Sequence, residues 1–128
     1  MSDTPAAAFA ALVDRFGKGW QTGKTDEILA VFAPDAVFRP EPHDPPLTGH
    51  DAIRAYWKDI PFTQAEIRFR SGEIFSTGPW FAAEFKCTFR RRRTGEPVDV
   101  RGAMFCETKD GLVSEMRLYW QRFVGGRG

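Results

Sequence analysis

The sequence predicts an α+β fold, with N-terminal helices packed on one face of a curved, mostly antiparallel sheet. Three observations predict it. Apolar residues recur at helical spacing near the start of the chain. From about residue 66 the period changes from 3.6 to 2. Turn pairs then divide the remainder into long strands. The 128 residues fit one domain, read as 1–124 followed by a flexible tail at 125–128.

Thr4 before Pro5 reads as a hydroxyl cap with proline at the first helical position. Phe9, Leu12, Val13, Phe16 and Trp20 form one apolar stripe, and Gly23 ends the helix. A second helix is expected over 26–33, capped by Thr25 and stopped by Pro34. Ala36 to Arg39 is β-like. The run from Pro40 to Pro46 holds four prolines, so it cannot continue a helix or a central strand. A third helix starts near His50, carries Ile53, Tyr56 and Trp57, and is expected to end at Pro61.

Ile67 and Phe69 then alternate with Arg68 and Arg70. Phe81, Ala83, Phe85, Cys87 and Phe89 alternate with Glu84, Lys86, Thr88 and Arg90, which reads as a half-buried strand. Thr94-Gly95 and Asp110-Gly111 are turn signals. They bracket a strand over 98–108 and precede a last strand over 112–124.

Composition excludes several classes. A net charge of +1 lacks the basic excess that reading a phosphate backbone requires, so no nucleic-acid partner is expected. The N-terminus has no basic segment followed by an apolar core, and no apolar run is long enough to span a bilayer. The expected location is therefore cytoplasmic, with no membrane partner. Cys87 and Cys106 lack metal-ligand spacing. They read as small buried hydrophobes, with a disulfide between adjacent strands as the alternative. The two histidines and the carboxylates form no metal-ligand pattern, so no metal or other cofactor is expected. Arg90 to Arg93 reads as a solvated hairpin tip.

Phe32-Ala33-Pro34-Asp35-Ala36-Val37-Phe38, then Gly49-His50-Asp51-Ala52-Ile53-Arg54-Ala55-Tyr56-Trp57, then Asp110-Gly111 leading to Arg117, Tyr119 and Trp120, resemble the SnoaL-like proteins of the nuclear transport factor 2-like superfamily. The resemblance spans nearly the whole chain. It implies a cone-shaped barrel, a curved sheet wrapped around helices with an apolar pocket at one end, and a homodimer formed through the outer sheet face. The family holds isomerases, cyclases, dehydratases, epoxide hydrolases and members without chemistry, so the site must decide the function. Its ketosteroid isomerases use a tyrosine and a protonated aspartate as an oxyanion hole, with an aspartate base. Aligned on this chain, those positions fall on Phe16, on Ala103, and on Arg39 or Pro40. None can take the role it inherits.

The same alignment predicts a pocket lined by Phe16, Trp20, Trp57, Phe85, Arg101, Phe105, Met116 and Trp120, with Ala103 and Leu118 also turned inward. A buried arginine needs a partner, and an anionic group on an apolar small molecule would supply one to Arg101. Otherwise Arg101 pairs with Glu84, or faces solvent after a register slip of one. His43 is the one catalytic candidate, a base at the pocket mouth; the alternative is a solvated loop residue. The neighbouring Asp44 cannot form a dyad with it in extended backbone, and His50 reads as a capping-region or surface residue.

The sequence supports a small-molecule-binding SnoaL-like domain with an aromatic cavity and no assigned reaction. One alternative is a proton-transfer isomerase, dehydratase or cyclase acting on a hydrophobic carbonyl compound. Another is a structural dimer whose cone is filled by its own side chains.

Overall fold

The computed structural model describes residues 5–125. Thr4, the expected cap, and most of the tail lie outside them. Helix α1 spans Pro5–Thr22 and turns Phe9, Val13, Phe16 and Trp20 into the core. Gly23 ends it at φ +68°: its N–H bonds the Trp20 carbonyl at 3.1 Å, and the Lys24 N–H bonds the Gly19 carbonyl at 3.0 Å. This nested pair satisfies two of the helix's last carbonyls and needs a left-handed residue at Gly23.

Helix α2 is shorter than expected, Thr25–Leu29, and its N-cap is Lys24 with no side-chain cap bond. The chain enters strand β1 (Phe32–Arg39) directly, so Pro34 lies inside a strand instead of stopping a helix. The β1–β6 register is interrupted between Phe32 and Val37. Pro34 sits at that break, where its missing N–H costs no ladder bond. Val31 and Phe32 are fully buried, and burial of these two residues outweighs helical continuation.

After the proline-rich segment come β2 (Leu47–Thr48), α3 (His50–Trp57) and α4 (Ile60–Thr63). Pro61 occupies the first turn of α4, so it starts a helix where the sequence suggested it would end one. His50 Nε2 bonds the Phe32 carbonyl at 3.0 Å and ties α3 to β1.

Strands β3 (Gln64–Thr77), β4 (Trp80–Arg91), β5 (Pro97–Lys109) and β6 (Leu112–Val124) complete a six-stranded sheet in the order β2-β1-β6-β5-β4-β3. Only β1–β6 is parallel. The sheet is curved and unclosed, with β2 and β3 at its edges. Helix α1 lies near the β3 edge, where the Gln21 side chain accepts the Phe69 N–H at 2.8 Å.

One irregularity decides which side chains face the core. Between β5 and β6 the register shifts after Glu107: Thr108 pairs with Val113, but Glu107 pairs with Glu115. Ser114 is the extra residue of a β-bulge, and its hydroxyl bonds both the Glu107 carbonyl and its Oε1 at 3.1 Å. Beyond the bulge Cys106 pairs with Met116 and Met104 with Leu118, so Val98, Val100, Met104 and Cys106 point inward. Arg101, Ala103 and Phe105 therefore lie on the outer face, one residue out of step with the expectation.

Candidate functional site

The core is a continuous nest of rings. Phe16 meets Trp57 edge-on at 5.5 Å, Phe69 at 6.0 Å and Trp20 at 6.2 Å between centroids. Among the described residues no polar or charged side chain is buried. The deep part of the interior is thus packed with Phe16, Phe32, Phe38 and Met116 and, among the described residues, holds no ionisable group other than two thiols. Burial pushes the Cys87 thiol up to about 12 and raises Cys106 as well, so both are inert; they are free cysteines, not a disulfide.

A recess of about 250 Å³ opens beside this nest. Trp20, Trp57 and Trp120 line it together with Phe85, Phe89 and Leu118. Its polar groups come from two places: Asp59, Thr63 and Gln64 around α4, and Arg122 near the end of β6. Trp20 Nε1 donates to Gln64 Oε1 at 3.0 Å. Arg122 lies over the Trp120 ring, 5.9 Å from its centroid. The buried Trp57 Nε1 has no hydrogen-bond partner, and its ring is met edge-on by Trp20 at 5.2 Å and by Tyr56 at 5.2 Å.

Tyr56 and Trp57 divide the work the sequence left open between them. Trp57 is buried, whereas Tyr56 is exposed at the recess rim. The Tyr56 phenol is held above its ordinary value by burial, then by the charges of Glu41 and Asp44. It is a hydroxyl donor at neutral pH. Trp120 joins the proline-rich segment to the sheet, because its Nε1 donates to the Pro40 carbonyl at 2.7 Å.

Of the expected pocket residues, Trp20, Trp57, Phe85 and Trp120 line the recess. Phe16 and Met116 are buried behind it. Phe105 stands on the outer face against Tyr119, and Arg101 is outside with Asp99, which it holds through two bonds of 3.2 and 3.1 Å. That bond, then its charge and that of Lys86, lowers the Asp99 carboxyl. His43 is exposed in the proline-rich segment and is not among the recess residues. Arg122 was missed, although it continues the inward alternation Met116, Leu118, Trp120. Asp59, Thr63 and Gln64 carry no spacing signal, because a four-residue helix places them. No group of three or more metal-ligating side chains occurs among the described residues.

The model of the SnoaL-like domain matches residues 13–116. The chain belongs to the SnoaL-like family. No curated protein matches it. Among solved structures, this SnoaL-like chain is similar to a Bacillus subtilis protein described provisionally as an isomerase, with 23% identity, a TM-score of 0.79, and 90% and 87% of the two chains covered. It is also similar to SalBIII, an epoxide hydrolase/cyclase-like enzyme of salinomycin pyran-ring formation (18%, 0.75, 88% and 89%). A third likeness is to a ketosteroid isomerase-like fold from Catenulispora acidiphila in complex with trimethylamine (14%, 0.76, 91% and 86%). At these identities the likeness carries the fold, and the chemistry of each neighbour remains its own.

Phe16 presents a buried phenyl ring. Arg39 is bonded to Glu115 at 3.1 Å. Ala103 pairs with Tyr119 on the outer face, so it does not face the interior at all. No helix among the described residues is long and apolar enough to cross a membrane.

Proposed function

We propose that this SnoaL-like domain binds a small, largely apolar molecule in the recess between α3, α4 and the inner sheet face. The observation that carries the reading is the convergence of three of the four tryptophans, with Phe85, on one recess rimmed by a few polar groups. Ligand sites are typically apolar concavities with a small number of placed polar groups. The volume, that of roughly eight waters, suits a compact ligand. Arg122 is the group that would meet an anionic substituent, in place of the outward-facing Arg101. The packed interior excludes a larger ligand reaching Phe16 or Met116.

The proton-transfer alternative loses its two named residues, since neither His43 nor Arg101 reaches the recess. Among the described residues Asp59 is the one carboxylate that lines the recess, and Tyr56 the one phenol. The reaction stays unassigned, and binding alone accounts for the arrangement.

Tryptophan fluorescence tests the proposal, because a ligand in the recess touches three of the four emitters. A screen of small aromatic and alicyclic compounds should find saturable quenching that Trp120→Phe and Phe85→Ala weaken and His43→Ala leaves unchanged. Quenching that survives in both recess variants would place the ligand elsewhere.

A second copy of the chain on the outer sheet face belongs to the same proposal. It is supported by Phe75, Phe105 and Tyr119, which are exposed at one end of that face. Sedimentation equilibrium should give a dimer that Phe105→Asp converts to a monomer; a monomeric parent protein would end this part of the reading.

A further inference from the structure

On the outer face, Arg70 of β3 lies directly opposite Lys86 of β4, and Lys86 lies directly opposite Arg101 of β5. Three cations thus stand in one row across three strands. Like charges placed directly opposite each other destabilise a sheet. The next row adds Arg68, opposite Thr88, and Arg90 follows. The available carboxylates do not offset this set. Glu66 pairs with Arg90 at 3.6 Å, and Asp99 serves both Arg101 at 3.1 Å and Lys86 at 3.9 Å. Glu84, one row further on, makes no ion pair among the described residues, and Arg68 and Arg70 have no carboxylate partner there. Five cations therefore face three carboxylates in a chain whose overall charge is only +1. Arg68, Arg70, Lys86 and Arg90 border a groove of about 410 Å³, with Pro97 and Phe123 along one wall and Thr88 between them; Glu66 and Asp99 line it too, so four cations there meet two carboxylates that are already paired with Arg90, Arg101 and Lys86.

We infer that this groove is a binding site for a phosphate monoester dianion. Two guanidinium groups can each present paired N–H donors to phosphate oxygens, Lys86 adds a point charge, and the dianion relieves the repulsion along the row. The groove exceeds the size of inorganic phosphate, and its apolar wall suits the organic part of a phosphorylated small molecule. This site is separate from the recess and does not depend on the reading given for it.

The test is titration calorimetry and thermal melting of the intact protein with inorganic phosphate and phenyl phosphate, against sodium chloride at matched ionic strength. The expected result is saturable binding of both phosphates, tighter for phenyl phosphate, with a melting temperature that rises with phosphate concentration and not with chloride. Arg70→Gln and Lys86→Gln should each weaken binding about tenfold or more. In chloride buffer Arg70→Gln should melt above the parent protein, because it removes a cross-strand repulsion. Arg93→Gln, on the neighbouring hairpin and off the row, should bind like the parent. Equal shifts with chloride, or an equal loss in Arg93→Gln, would show diffuse attraction to positive surface and overturn the site.

Discussion

The indole of Trp120 donates to the carbonyl of Pro40 at 2.7 Å, across 80 residues of sequence. This bond ties the start of the proline-rich segment to the last strand at the edge of the recess. The prolines stiffen the segment, but they do not attach it to the sheet.

Trp120→Phe keeps a ring in place and deletes the donor. It should cost about 1 kcal/mol of stability. Amide exchange should rise at Glu41, His43 and Asp44 while the β5–β6 ladder stays protected, as expected for local opening. Unchanged exchange in the segment would show that other contacts hold it.

Two buried tryptophans differ in one respect that stability can read. Trp20 Nε1 is bonded to Gln64, whereas Trp57 Nε1 is buried without a partner. Replacing either with Phe loses ring area. Trp20→Phe also strands an acceptor, while Trp57→Phe removes an unsatisfied donor that costs about 1–3 kcal/mol to bury. Trp57→Phe should therefore be the milder change by about 1 kcal/mol or more in urea midpoint analysis. The reverse order would reveal an acceptor at Trp57.

The element order was legible because its signals are local: the helical stripe ending at Gly23, the alternation of Phe81 to Phe89, and the turns at Gly95 and Gly111. The face of β5 was not. Counting back from the Asp110-Gly111 turn without a bulge pairs Phe105 with Met116 and turns Arg101, Ala103 and Phe105 inward. Ser114 inserts one residue, and the whole set reverses. A signal was present within β5 itself, since Val98, Val100, Met104 and Cys106 share a parity opposite to that of Arg101 and Glu107. Trp20, Trp57, Phe85 and Trp120 line the recess because the aromatic positions on α1, α3, β4 and β6 depend on their own periodicity. Arg101 and Phe105 depended on cross-strand register, and His43 on the path of a proline-rich segment. Neither of those is encoded in a period.

Gly102 faces Trp120 across β5 and β6. A Cβ at this position would collide with the Tyr119 carbonyl and lie 2.7 Å from Trp120 Cβ. Both obstacles belong to the strand itself and cannot rotate away. Gly102→Ala should cost about 1–3 kcal/mol, as overpacking does, and should disturb the recess through Trp120. A shift in Trp120 fluorescence alongside a lowered melting temperature is the expected pair of observations. A variant as stable as the parent would mean that the strands separate here at little cost.

Glu115 joins β1 to β6. Its Oε2 accepts from Arg117 Nε at 2.7 Å and from Arg39 Nε at 3.1 Å. The bond from Arg117 lowers its carboxyl first, burial opposes this, and the bond from Arg39 and the two charges add to the lowering. A carboxyl whose folded value lies below its unfolded value, about 4.3, stabilises the fold above that pH. The contribution is lost as pH falls through the lower folded value. Glu115→Gln should thus be less stable than the parent by about 1 kcal/mol at pH 7. The two should converge as the pH falls below the unfolded value and through the lower folded one, where the parent's carboxylate takes up its proton. Urea midpoints at pH 7 and pH 3 check this. A gap that persists unchanged at pH 3 would mean that Glu115 acts through packing rather than through its charge.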